Sequence, residues 1–150
     1  MNLMLLEAEL RRDEDVRDRP YLDTAKPPKR TIGVGHNMDA SPLPASWKFP
    51  LSPAQIQQLL DKDIADTFHQ LDVRLPWWRD LDEVRERVVA NMCFNLGITK
   101  LLGFKKALAA MERGAWLVAA AEMKDSAWYG QVGDRSKRLC RAMQTGVMPA

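Results

Sequence analysis

The sequence predicts an α+β fold: a small β region and a mostly helical region, joined by a long helix, with a cleft between them. Three patterns support this prediction. Leucines recur at helical spacing near the N-terminus, turn formers and β-favouring residues follow between residues 21 and 36, and apolar residues at intervals of three and four occupy much of the remainder. A chain of 150 residues can bury a core as one domain without disulfides or metals.

The first part of the chain predicts a helix followed by a hairpin. Leu3, Leu6 and Leu10 recur at helical spacing and share a helical face. The pattern then gives way to charged residues, so this helix should end near Glu14. Residues 21–36 should form the hairpin, with its turn at residues 26–29. Residues 37–51 contain three prolines and no periodicity, which predicts a loop, with room for a short strand or turn.

The best-defined element is a long helix from about Pro53 to about Asp72. Ser52 should cap its N-terminus, and Gln55, three residues later, should complete a capping box. Apolar residues follow at helical spacing: Ile56, Leu59, Leu60, Ile64, Phe68 and Leu71.

The remainder predicts a helical bundle. Helices are expected at residues 82–96, 103–112, 115–124 and 134–144, with a short turn at 126–130. Asp134 should cap the last helix, and Gly146 should end it. We therefore expect a single domain with three parts: a β-containing lobe at 13–52, a linking helix at 53–72, and a helical lobe made of 73–150 plus 1–12.

Composition and charge restrict the classes of function. A net charge of +2 does not require a nucleic-acid partner, although the last predicted helix is locally basic. Two cysteines without a CxxC motif fit a chain made in a reducing cytosol. The N-terminus is typical of an amphipathic helix rather than a signal peptide, and no apolar run reaches the roughly 20 residues that span a bilayer. We expect a monomer, without a nucleic-acid partner or stable membrane insertion.

Several catalytic motifs are absent from the sequence. Gly33 and Gly35 lack the third glycine of a dinucleotide-binding motif, and neither a Walker lysine nor a GxSxG elbow is present. The two histidines and two cysteines are scattered singly, which does not favour a zinc site. We therefore expect neither a metal nor a cofactor.

Two carboxylates and a hydroxyl form the strongest candidate site. Glu14 ends a helix, whereas Asp23 and Thr31 belong to the hairpin. Glycoside hydrolysis uses two carboxyl groups, one that gives a proton to the leaving oxygen and one that activates water or stabilises positive charge. A structural alternative exists for both residues, because Glu14 lies in a charge run typical of a solvated helix end and Asp23 could form an Asx turn.

Motifs along most of the chain support the catalytic interpretation. They are Asp13-Glu14-Asp15, Tyr21-Leu22-Asp23-Thr24, Thr31-Ile32-Gly33-Val34-Gly35-His36, Asn91-Met92-Cys93-Phe94-Asn95-Leu96-Gly97, Gly103-Phe104, Trp128-Tyr129 and Asp134-Arg135-Ser136-Lys137-Arg138. In content, order and Glu-to-Asp separation, the set resembles the phage lysozyme and endolysin family of muramidases, of the T-even phage lysozyme type. The 91–97 motif is similar to that family's central buried helix.

The resemblance implies a lysozyme-like fold and a role for each catalytic candidate. Glu14 would be the general acid, Asp23 would activate or hold the attacking water, and Thr31 would position that water through its hydroxyl. The family inverts the anomeric carbon, which requires room for water between carboxylate and sugar.

The resemblance also implies residues that support the site. Those expected to border the substrate are Gly35, Phe94, Asn95 and Arg135. Phe94 and Asn95 could instead be plain packing residues, and Arg135 could be a surface arginine that caps a helix rather than a neighbour of the catalytic glutamate. His36 would pair with Asp63 in a structural contact.

The resemblance therefore implies a phage endolysin that hydrolyses the β-1,4 bond between N-acetylmuramic acid and N-acetylglucosamine in bacterial peptidoglycan and lyses the host cell. We expect it to remain in the host cytoplasm until a holin releases it to the wall. Two alternatives stay open: a lytic transglycosylase that cuts the same bond, and a non-catalytic module whose basic last helix binds the wall.

Two features depart from the family pattern. Asp23 and Thr31 are separated by two more residues than in the T-even enzyme, with Pro27-Pro28 in the longer turn, and the loop at 37–51 is shorter. Thr31 can reach the water only if the hairpin absorbs the insertion.

Overall fold

The computed structural model describes residues 1–150 and has an α+β fold, as predicted. In chain order the elements are α1 (Leu3–Glu14), β1 (Val16–Leu22), β2 (Arg30–Val34), β3 (His36–Asn37), α2 (Pro53–Arg74), a 3-10 helix (Pro76–Asp80), α3 (Glu83–Leu96), α4 (Ile98–Leu102), α5 (Lys105–Glu112), α6 (Trp116–Lys124), α7 (Ala127–Gln131) and α8 (Asp134–Thr145). None of the helices combines the length and the apolar character that crossing a bilayer requires.

The three strands form one antiparallel sheet in the order β1-β2-β3. Tyr21 on β1 lies opposite Thr31 on β2, and the pairing shifts between Arg17 and Tyr21 because β1 carries extra residues there. The carbonyl of Asp18, inside this bulge, accepts the N–H of Leu51 at 2.9 Å. The end of the proline-rich loop is thereby fixed to the sheet.

The chain forms two compact units. The sheet unit comprises Leu3–Asp66, and the helical unit comprises Met1–Asn2 together with Thr67–Ala150. This division differs from the predicted one, which assigned residues 1–12 to the helical lobe. Helix α1 belongs to the sheet unit because it contacts β2 and because Arg11 Nη2 donates to Gln57 Oε1 at 2.7 Å. The predicted cleft between lobes stays a prediction.

The capping box of α2 is confirmed. Ser52 Oγ accepts the N–H of Gln55 at 3.1 Å, and Gln55 Oε1 accepts the N–H of Ser52 at 2.9 Å. The helix runs two residues beyond the predicted end, to Arg74. Its apolar face contributes to the core of the sheet unit, whose buried residues include Leu10, Ile32, Val34, Leu51, Ile56, Leu60 and Ile64.

The helical unit contains the predicted helices and three short ones: the 3-10 helix and α4, which were not predicted, and α7, where a short turn was expected. Helix α3 is its central element, with every residue from Arg85 to Cys93 buried. The prediction that Asp134 caps α8 is wrong: Gly133 is the N-cap, and Asp134 is the first helical residue. Gly146 ends α8 in a left-handed conformation with φ 77°, as expected.

Candidate active site

Glu14 is the last residue of α1 and is half-buried. The helix stops there because Asp15 adopts a left-handed conformation with φ 60°, which turns the chain directly into β1. Asp15 Oδ1 accepts the N–H of Val16 at 3.0 Å, a local bond of the kind that lets aspartate tolerate this conformation. A left-handed residue thus fixes where the candidate acid leaves the helix.

The Glu14 side chain lies directly against Gly35. A Cβ atom on residue 35 would stand 2.7 Å from Glu14 Oε2 and 2.8 Å from Glu14 Cδ, closer than real Cβ atoms approach. Gly35 also has a positive φ of 65°, which a glycine adopts without strain. Glycine at this position therefore leaves the space that the carboxyl group of Glu14 occupies.

Asp23 lies just beyond the end of β1 and is half-buried. Its Oδ1 accepts the N–H of Lys29 at 2.8 Å and the N–H of Ala25 at 3.1 Å, while its own N–H donates to the carbonyl of Lys29 at 3.0 Å. The side-chain oxygen thereby closes the long turn before β2. The Asx-type role is real, and Oδ2 takes part in neither of these bonds.

Thr31 is buried on β2, between Tyr21 on β1 and Asn37 on β3. Its hydroxyl donates to the carbonyl of Lys29 at 3.0 Å. The hydroxyl proton is therefore committed, and the lone pairs of Oγ1 remain the part that could accept a hydrogen bond from water.

Tyr21 is a neighbour of these residues that the sequence reasoning did not single out as functional. Burial, then the negative charge of Glu14, raise the pKa of its phenol, and the charge of Asp23 acts in the same direction. The guanidinium of Arg17 lies 4.8 Å from the centre of the ring. The Tyr-x-Asp spacing predicts that Tyr21 and Asp23 share one face of a strand, because alternate residues of a strand do so. Only the strand register shows that Thr31 lies opposite Tyr21.

His36 and Asp63 are in contact within the sheet unit. His36 Nδ1 lies 2.7 Å from Asp63 Oδ2, and His36 Nε2 lies 2.8 Å from the carbonyl of Ser41. Burial of the imidazole lowers its pKa, but the hydrogen bond and charge of Asp63 outweigh burial, so the pKa of His36 is raised. With both ring nitrogens facing acceptors, the protonated ring satisfies every contact, which fits the structural role implied by the resemblance.

The remaining candidates lie in the helical unit. Arg135, in the first turn of α8, is buried and donates through Nε to Asn91 Oδ1 at 2.9 Å, so the alternative of a surface arginine is wrong. Asn95 Oδ1 accepts the indole N–H of the buried Trp128 at 2.9 Å. This bond gives Asn95 a packing role and leaves its amide N–H groups as the part that could contact a sugar. Phe94, beside it, is half-buried.

The two cysteines are not paired with each other, and the side chains that could bind a metal are not grouped. Cys93 and Cys140 are both free and buried, and burial raises the pKa of Cys93 to about 12 and that of Cys140 to about 11. No three His, Cys, Asp or Glu side chains are grouped so that they could hold a metal ion. The thiols are therefore inert packing groups near neutral pH.

Comparison with known proteins relates the chain to lysozymes over nearly its full length. No protein-family model matches it. Probable T4-type lysozyme 2 of Dictyostelium discoideum is 28% identical over 160 aligned positions, covering 93% of each chain. Probable T4-type lysozyme 1 of the same organism is 29% identical over 122 positions, covering 78% of this chain and 69% of that protein. The chain is a homologue of the T4-type lysozymes.

A phage protein shows the same relationship. The pre-baseplate central spike protein Gp5 of Enterobacteria phage T4 is 30% identical over 159 positions, which cover 91% of this chain but only 27% of that protein. The predicted resemblance to T-even phage lysozymes is thus confirmed, and the chain is a glycoside hydrolase of the lysozyme class. The roles of individual residues in this lysozyme stay predictions.

Proposed function

We propose that this lysozyme homologue is a phage endolysin that hydrolyses the β-1,4 bond between N-acetylmuramic acid and N-acetylglucosamine in bacterial peptidoglycan. The observation that carries the proposal is the position of Glu14, whose carboxyl group lies against Gly35 at the end of α1, in the same unit as Asp23 and Thr31. A lysozyme-like cleft would hold the glycan at these residues.

The proposed chemistry is acid catalysis with direct attack by water. Glu14 gives its proton to the glycosidic oxygen, the bond from that oxygen to the anomeric carbon breaks, and the bonding electrons stay with the leaving sugar. A water oxygen attacks the anomeric carbon from the opposite face, and its proton passes to Asp23. One water is consumed, and a new reducing end forms with inverted configuration.

The contacts of Asp23 and Thr31 support this division of roles. Asp23 Oδ1 is held by two backbone N–H groups, which fixes the carboxylate and leaves Oδ2 to accept from water. Thr31 Oγ1 donates to the carbonyl of Lys29 and can therefore only accept from the same water. An anchored acceptor pair positions a water without mobile side chains.

Residues of the helical unit are proposed to bind the substrate. Phe94 would offer apolar contact to a sugar ring, and the amide N–H groups of Asn95 and the guanidinium of Arg135 would donate hydrogen bonds to sugar oxygens. In the sheet unit, Gly35 would let the glycan pass close to the backbone. The buried bond from Arg135 Nε to Asn91 supports a fixed guanidinium rather than a mobile one.

The test is mass spectrometry of fragments released from purified peptidoglycan by the wild type and by Glu14→Gln. Muropeptides with reducing ends from the wild type alone are the expected result. Fragments with 1,6-anhydro ends would replace the hydrolase by a lytic transglycosylase. Fragments from neither protein, with wall binding that weakens in salt, would indicate a non-catalytic binding module.

The lytic role concerns biology rather than chemistry and needs its own experiment. We propose that the enzyme acts as a monomer and remains in the host cytoplasm until a holin releases it. Expression in a bacterium with and without a holin should give lysis only with the holin. The relationship to a central spike protein supports a second candidate role, that of a lysozyme carried by the phage particle. Detection of the protein in purified phage particles would establish this role.

A further inference from the structure

The sheet register places Tyr21 on the same face as two of the proposed catalytic residues. Tyr21 and Thr31 are directly opposite each other in the antiparallel pair, so their side chains are neighbours on one face. Asp23 follows Tyr21 by two residues, and its N–H bond to Lys29 continues the ladder past the end of β1. Because alternate residues of a strand share a face, Asp23 lies on the Tyr21 side.

Several charged groups affect the pKa of the Tyr21 phenol. The carboxylates of Glu14, Asp15 and Asp23 all act on it, and Arg17 opposes them with its guanidinium over the ring. The raised pKa keeps the phenol protonated at any pH near neutrality. Within the chain no hydrogen bond engages the Tyr21 hydroxyl. It is a neutral donor, and the charges of both proposed catalytic carboxylates act on it.

We propose that Tyr21 is a substrate-binding residue, whose hydroxyl donates a hydrogen bond to an oxygen of the sugar held between Glu14 and Asp23. This inference rests on the proposed function. A neutral donor suits the position, because a lysine or arginine there would favour the ionised form of Glu14 and oppose proton donation. The ring is half-buried on the sheet, so the hydroxyl is presented at little entropic cost.

The first test is the kinetics of Tyr21→Phe, which removes only the hydroxyl, on purified peptidoglycan. We expect kcat/KM to fall about three- to tenfold, as for the loss of one neutral hydrogen bond, with an unchanged melting temperature. Arg17→Met, which removes the cation over the ring and keeps the hydroxyl, should retain kcat/KM. Equal losses in the two variants, or wild-type kinetics in Tyr21→Phe, would overturn the inference.

A second test reports the position of Tyr21 without relying on activity. The chain has only two tyrosines, so Tyr129→Phe leaves Tyr21 as the single phenol. With 3-fluorotyrosine incorporated, which ionises at lower pH than tyrosine, the fluorine NMR signal should titrate at lower pH in Glu14→Gln and in Asp23→Asn than in the Tyr129→Phe background. Unchanged titration in both would contradict the position near the two carboxylates.

The two experiments separate the possible failures. An inactive wild type with the expected titration shifts would reject the proposed function and retain the shared position of the three side chains. An active wild type, an inactive Glu14→Gln and an unaffected Tyr21→Phe would retain the proposed function and reject the role of Tyr21.

Discussion

The carboxyl group of Glu14 occupies the space that a side chain on Gly35 would fill, with Oε2 only 2.7 Å from the position of a Cβ atom. Glu14 ends α1 and Gly35 follows β2. The Glu14 carboxyl group fits in its place only because residue 35 has no Cβ atom. The position of the proposed acid therefore depends on this glycine as well as on the helix that carries it.

Gly35→Ala should therefore strongly reduce the activity of the enzyme. The new methyl group must displace Glu14, and a misplaced acid typically costs about a hundredfold in rate. The positive φ adds about 1–2 kcal/mol of destabilisation. Fragment release from peptidoglycan, measured together with urea unfolding, separates the two effects.

Gly33→Ala is the matched control for this experiment. Gly33 has nearly the same φ, 66°, but a Cβ there would meet only Ile56 Cγ2 at 3.6 Å and Leu59 Cδ1 at 3.8 Å. It should lose similar stability and keep most of its activity. Equal activity in the two variants would show that the contact with Glu14 does not matter.

Asp15→Gly should stabilise the protein. Asp15 has a left-handed φ of 60°, and glycine removes a steric cost of about 1–2 kcal/mol there. Loss of the Asp15 bond to Val16 returns part of that gain, so we expect a net increase of about 0.5–1 kcal/mol in the free energy of unfolding. Asp15→Ala keeps the strain and loses the bond, and it should be less stable than the wild type. Denaturant unfolding of the three proteins checks this order, and a glycine variant weaker than the wild type would contradict it.

The pair of His36 and Asp63 should stabilise the fold mainly at low pH. Folding raises the pKa of His36 above its ordinary 6.5, so the contribution is complete below about pH 6 and is lost as the pH rises through the folded value. Asp63→Asn should cost about 1.5–3 kcal/mol near pH 5.5 and clearly less near pH 9.

The exposed ion pair on the same helix provides the control. Lys62 and Asp66 lie 2.8 Å apart, with both side chains more than half exposed. Asp66→Asn removes the same charge and should cost less than about 1 kcal/mol at either pH. A loss in Asp63→Asn that does not depend on pH would mean that the histidine is neutral in the folded protein.

The parts of the fold that the sequence predicts well are those decided by near neighbours along the chain. The capping box of Ser52 and Gln55 and the left-handed Gly146 depend on a few adjacent residues, and both are present. The predicted cap at Asp134 failed because Gly133, one residue earlier, turns the chain with φ 61°. Both residue types are common at the N-cap, and only the backbone conformation decides which of the two takes that position.

The candidate site was predictable only where the motif resemblance named its residues. The bulge between Arg17 and Tyr21 decides which side chains of β1 share a face with Thr31, and no local pattern reveals it. The alignment of Tyr21 with Thr31, on which the proposed role of Tyr21 rests, could not be predicted from the sequence for that reason. The contact of Glu14 with Gly35 likewise depends on tertiary packing, since neither residue type announces its partner.

Asp23 combines a structural and a proposed chemical role, and two substitutions separate them. Asp23→Asn keeps an oxygen that can accept the N–H groups of Ala25 and Lys29, so its stability should stay within about 0.5 kcal/mol of the wild type. Asp23→Ala loses both bonds and should be destabilised by about 1–2 kcal/mol.

If Asp23 accepts the proton of the attacking water, both variants should lose at least about a hundredfold in rate, because neither an amide nor a methyl group can act as a base. Fragment release and thermal unfolding, measured on the same preparations, compare the two roles directly. A stable Asp23→Asn with full activity would assign Asp23 to the turn alone and favour a transglycosylase that needs only Glu14, whereas a stable but inactive one requires the carboxylate itself in the reaction.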